Sequence, residues 1–186
     1  MDIPHYNLQN DLMENDPSSL FALFPNTPPP QLERVESHAI PQPYHDLLVH
    51  TLHMTVTVER FYSDAVDVRV LEESRQAESY VRQIVLALRG SGRIVQYGLV
   101  HIHLEALSAI VRERILAGQT PLGRVLVEHD VLRHIEPAGY FRIGLNPTFQ
   151  TWLQTTETIT YGRMGVIHTD HRPAITVLEI LTPGSG

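Results

Sequence analysis

Two charged residues stand where strand patterns call for apolar ones. In "PAITVLEILTP" (173–183) Glu179 shares its alternating face with Ile175, Val177 and Leu181, while Leu178 and Ile180 take the other face. In "YVRQIVLAL" (80–88) Arg82 shares its face with Tyr80, Ile84, Leu86 and Leu88. Period-two alternation with β-branched residues predicts that both segments are strands. A charge set into an apolar face must be paired, hydrogen-bonded or neutralised. Two chemistries fit. Arg82 and Glu179 form a structural ion pair with each other, or Arg82 holds a ligand carboxylate through paired hydrogen bonds while Glu179, tuned by burial, handles a proton. The pattern alone leaves both open.

Other candidate chemistry is weaker. "HIH" places His101 and His103 on one strand face, but a metal would need a third, distant ligand, so no metal site is expected. "HTDHRP" reads as a hairpin turn. "RGSGR" joins two strands and opens no helix, which makes it a turn rather than a phosphate loop. There is no cysteine and no Gly-x-Ser-x-Gly elbow for nucleophilic catalysis. All 14 basic residues are arginine, which removes Schiff-base chemistry. "TPLGRVL" is a helix start, with Thr120 as cap and Pro121 at the first position, and such a start offers free N–H groups to an anion or a polarised oxygen.

The elements that must position these residues follow from pattern. Residues 1–43 are rich in Pro, Asn, Asp and Ser and read as an irregular lead with one short helix near "DPSSLFALF", capped by Asp16 or Ser18. "HDLLVHTLHMTVTVERFY" predicts helical turns broken near Met54, with Thr55 capping the second. Strands are expected at 67–73, 80–88 and 94–103, the last two forming a hairpin. Residues 104–128 read as helix, tight turn and helix, and strands follow at 131–143, 156–168 and 174–182. The predicted class is α+β: one antiparallel sheet of about six strands, helices over one side, and 44–186 as the functional domain.

With 186 residues, 42% of them hydrophobic and 19% charged, the chain is of globular composition and large enough for one core. A net charge of −7 without a basic cluster argues against nucleic acid as a partner. The first thirty residues hold no Lys or Arg and no long apolar run, and nothing approaches a membrane span. A cytoplasmic monomer with no membrane association is expected.

These motifs, in this order, resemble those of the chorismate pyruvate-lyase family over about 44–183. "LHMTVTVE" resembles the family's Met-Thr helix start, "YVRQIVLAL" its arginine strand and "GQTPLGRVL" its Gly-x-Thr-Pro-Leu-Gly-Arg turn, the most specific of the set. "YGR" (161–163) resembles an aromatic-Gly-Arg strand, and "ITVLEILTP" the closing strand. The resemblance implies a buried pocket in which Met54 and Leu122 contact substrate largely through backbone N–H groups, Arg82 through its guanidinium and Glu179 through its carboxyl. It implies a cofactor-independent lyase that splits chorismate into 4-hydroxybenzoate and pyruvate by an elimination that aromatises the ring, as in quinone biosynthesis. Arg82 would fix the ring carboxylate, Glu179 would donate to the departing oxygen, and the Leu122 amide would steady developing charge. The closed pocket implies product inhibition.

One departure stands out. Ubiquinone-pathway members carry a second arginine in the strand after the hairpin, where this chain has "VQYG" (95–98). Gln96 or Tyr97 would replace it, or Arg163 would serve the second carboxylate. Three rivals remain: a sister lyase giving another hydroxybenzoate, a relative in which Arg82 and Glu179 only pair with each other, and a non-catalytic domain of the same fold that binds small aromatic acids in a transcription regulator. The last requires a DNA-binding domain that the Pro-rich lead does not resemble.

Overall fold

The computed structural model describes residues 16–129, 131 and 133–183. Positions 1–15 of the lead and the last three residues of the 44–186 domain lie outside the described residues. In chain order the elements are α1 (Pro17–Phe21), β1 (Gln31–Val35), α2 (Tyr44–Leu48), α3 (Met54–Tyr62), β2 (Val66–Arg75), β3 (Ser79–Leu88), β4 (Ile94–His103), α4 (Ala109–Leu116), α5 (Leu122–Glu128), β5 (Arg133–Gly144), α6 (Pro147–Leu153), β6 (Ile159–Thr169) and β7 (Arg172–Leu181).

The strands form one antiparallel sheet in the order β1-β5-β6-β7-β4-β3-β2. The expected α+β class therefore holds, with seven strands rather than about six. The additional strand is β1, in the lead. It pairs with β5 from Gln31↔Gly144 to Val35↔Tyr140, so the described part of the lead belongs to the same sheet. Asp16 caps α1 through the Ser18 amide at 3.0 Å, and Leu20, Phe21 and Phe24 enter the core.

Alternation along the strands sorts the core into two layers. On one face Val81, Val85, Tyr97, Leu99, Leu178 and Ile180 pack against the short helices α1 and α6. On the other face Tyr80, Val100, Ile175 and Val177 meet α4 and α5, while Ile84, Leu86 and Leu181 meet α2 and α3. The layer under α2–α5 is the one that carries Arg82 and Glu179.

Local sequence explains the element ends, with small shifts. His53, not Thr55, is the N-cap of α3, and Pro121, not Thr120, is that of α5; neither provides a side-chain cap. The expected single helix after 104 is a 3₁₀ turn over Leu104–Ala106 followed by α4. "HTDHRP" is a two-residue hairpin loop: Asp170 and His171 have φ of 49° and 64°, flanked by the Thr169↔Arg172 pair, as the twist of a tight hairpin demands.

Candidate functional site

The inward face of β3, β4 and β7 is the floor of a small, narrow cavity of about 50 Å³. Arg82, Glu179, Met54 and Leu122 all line it, and so does Gln96. Rows of the sheet set their spacing. Arg82 lies across from Val100, Ile84 from Gly98 and Leu86 from Gln96, while Glu179 sits across from Gly98 on the other side. Along the floor the polar groups therefore come in the order Arg82, Glu179, Gln96, one row apart.

The starts of α3 and α5 close the cavity from above. The first N–H groups of a helix have no intrahelical partner, and here those groups belong to Met54 and Leu122. The two starts approach closely because Gly123 lacks a side chain. A Cβ at that position would meet the His53 Cβ and the Thr55 hydroxyl oxygen at 3.0 Å. An ion pair between Arg124 and Glu59 also links α5 to α3.

Arg82 is 1% exposed. Its Nε is buried with no hydrogen-bond partner, and one terminal nitrogen reaches the Ile115 carbonyl only at 3.5 Å. Among the described residues no carboxylate pairs with it at contact distance. Burial pulls its pKa down, and the Tyr80 hydroxyl and the Glu73 carboxylate act in the opposite direction. Tyr80 donates to Glu73, and its own pKa is pushed up to about 12, first by burial and then by that bond. A buried guanidinium with an open Nε keeps a charged donor free for a carboxylate.

Glu179 is placed differently from the ion-pair alternative, because its partner is Arg163. The Arg163 Nε donates to the Glu179 Oε2 at 2.7 Å, and the two are cross-strand neighbours. The rest of the Arg163 guanidinium serves the loop before α3. It donates to the carbonyls of Leu48 (3.1 Å), His50 (2.8 Å) and Leu52 (3.0 Å). So Arg163, expected as a contact for a second carboxylate, is already occupied by protein. The His50 Nδ1 accepts from the Leu52 amide at 3.1 Å and lies 3.2 Å from Arg163; burial and then Arg163 hold this imidazole's pKa down.

Tyr97 is not brought to the cavity. It lies on the opposite face, where its hydroxyl donates to the Gln83 Oε1 at 2.7 Å and its ring stacks on Trp152 with centroids 5.5 Å apart. Alternation puts Gln96 inward instead. Gln96 is 3% exposed and its Oε1 has no partner. His101 bonds Ser79 at 2.8 Å, and the described residues contain no cluster of three metal-ligating side chains. No described helix is long and apolar enough to cross a membrane.

No family model matches the sequence, and no curated protein matches it. Solved structures do match. PhnF from Mycobacterium smegmatis aligns with a TM-score of 0.50 at 8% identity, over 73% of this chain and 65% of its own. A ligand-binding domain assigned to the GntR family of transcriptional regulators, from Bordetella bronchiseptica, aligns at 0.46 and 13%, over 63% of this chain and 86% of its own. The gene product SA0254 from Staphylococcus aureus gives 0.47 and 11%, over 62% and 82%. What the chain shares with PhnF is the fold, a single antiparallel sheet with helices packed on it.

Proposed function

We propose that the cavity binds a small cyclic carboxylic acid with its carboxylate on Arg82, and that the reaction it carries is the cleavage of chorismate to 4-hydroxybenzoate and pyruvate. The observation that carries this reading is the unpartnered Nε of a fully buried arginine, in the same wall as Met54, Leu122 and Glu179. The four positions marked by the motif resemblance line one cavity.

In this reading Arg82 orients the ring, and most of the rate comes from that positioning. Glu179, fixed by Arg163 through one oxygen, is an acceptor rather than a donor. It takes the proton from the ring carbon that bears the hydroxyl. The bond between the neighbouring ring carbon and the enolpyruvyl oxygen breaks, the ring becomes aromatic, and the enolate leaves. The amides at the starts of α3 and α5 stabilise the oxygen as it becomes negative, and the proton held by Glu179 returns to the enolate carbon to give pyruvate.

A second reading keeps the ligand and drops the reaction: a domain that senses a small aromatic acid. The likeness to regulator ligand-binding domains favours it. One experiment separates the two. Purified protein mixed with chorismate is expected to yield equimolar 4-hydroxybenzoate and pyruvate, with the yield lost in Arg82→Ala and in folded Glu179→Gln. Absence of turnover together with calorimetric binding of 4-hydroxybenzoate would leave the sensing reading, and undiminished turnover in both variants would overturn the assigned roles.

A further inference from the structure

We infer that Gln96 is the specificity-determining residue of the cavity and selects ligands that carry a hydroxyl at the ring position opposite the carboxylate. The inference rests on the proposal that Arg82 holds that carboxylate.

Gln96 faces the cavity from the end of the floor remote from Arg82, and its Oε1 is buried with no hydrogen-bond partner. An unsatisfied buried amide is costly, and it is normally satisfied by protein, water or ligand. Its two ends ask for different things: the oxygen needs a donor and the nitrogen an acceptor. A ligand carboxylate would satisfy the nitrogen and leave the oxygen bare. A hydroxyl satisfies the oxygen by donating, and it can also accept. A hydroxyl is therefore the smallest single group that answers this amide.

Spacing fixes where that hydroxyl sits. Arg82 is level with Val100 and Gln96 lies four residues back along the same strand, a distance of roughly 14 Å at about 3.4 Å per residue. The two side chains therefore enter the cavity from opposite ends of its floor, and a ring substituted at opposite positions presents one group to each. Between the two ends the floor is Gly98, where a Cβ would meet the Ile84 Cδ1 at 3.2 Å; the missing side chain lets Ile84 pack close to the strand beside the line from Arg82 to Gln96.

The test uses calorimetric binding of benzoate, 4-hydroxybenzoate and terephthalate to wild type, Gln96→Leu, Gln96→Met and Arg82→Met. Wild type is expected to bind 4-hydroxybenzoate about tenfold more tightly than benzoate, the worth of one well-made hydrogen bond, and terephthalate no better than benzoate. Gln96→Leu and Gln96→Met should abolish the hydroxyl preference and leave benzoate binding intact. If benzoate binding needs Arg82 but the preference persists in both Gln96 variants, this inference fails and the proposed site stands. If benzoate binding survives Arg82→Met, or none of the three acids binds, the proposed site fails and the inference falls with it.

Discussion

Gln83 and Gln96 are both buried glutamines on adjacent strands of one sheet, and they sit on opposite faces in opposite conditions. Gln83, 0% exposed, donates to the Thr27 hydroxyl at 2.8 Å and to Glu72 at 2.9 Å, and it accepts from Tyr97. Gln96 has an unpartnered oxygen. The two buried arginines on the cavity face repeat the contrast: Arg163 is tied to Glu179 and three carbonyls, whereas Arg82 is open. The satisfied pair belongs to the scaffold, whereas the open Nε of Arg82 and the open Oε1 of Gln96 share the wall of one cavity.

The comparison can be broken by substitution. Arg163→Met should have the largest effect, a loss of about 3–5 kcal/mol, because it strands Glu179 and the carbonyls of the loop before α3; urea denaturation measures it, and a loss near zero would remove Arg163 from the scaffold. Gln83→Leu should cost about 1–3 kcal/mol by leaving the Tyr97 and Thr27 hydroxyls unpaired, seen as a lower denaturation midpoint at unchanged slope. Arg82→Met should carry the opposite sign, stabilising the ligand-free protein by about 1 kcal/mol while abolishing ligand-induced stabilisation, since a buried charge with no carboxylate at contact distance is replaced by an apolar side chain of similar length. A thermal melt of the variant with and without 4-hydroxybenzoate reads both effects; destabilisation like that of Arg163→Met would mean that Arg82 is scaffold too.

Much of the site was legible because strand alternation is rigid. Once 80–88 and 173–183 are strands, Arg82 and Glu179 must point toward the same kind of layer as their apolar neighbours. The placement of Gln96 and Tyr97 on opposite faces follows from the same rule, although which of the two faces the cavity depends on the tertiary fold. The partner of Glu179 was not legible. The hairpin loop pairs Thr169 with Arg172 and His168 with Pro173, and continuing that register would set Arg163 opposite Leu178. A bulge between Ile167 and His168 shifts the pairing by one, so Arg163 meets Glu179. Nothing in the side-chain pattern announces one extra residue. The strand β1 was hidden for another reason: its burial follows no clean alternation, and it lies beyond a run of prolines. Helix α6 did have a signal, Asn146 as cap with Pro147 at the first position, but at seven residues it lacks the periodicity that marks longer helices.

The close approach of α3 and α5 allowed by Gly123 has an electrical consequence. Each helix start is worth about half a positive charge, and both face the same chamber as Arg82, while Glu179 is already neutralised by Arg163. The chamber is therefore biased toward positive potential, offset in part by the Glu73 carboxylate that acts on Arg82. Such a field acts on a guest's acidity. For the proposed carboxylic acid guest, this potential would favour the anion and oppose the effect of burial, which favours the protonated acid.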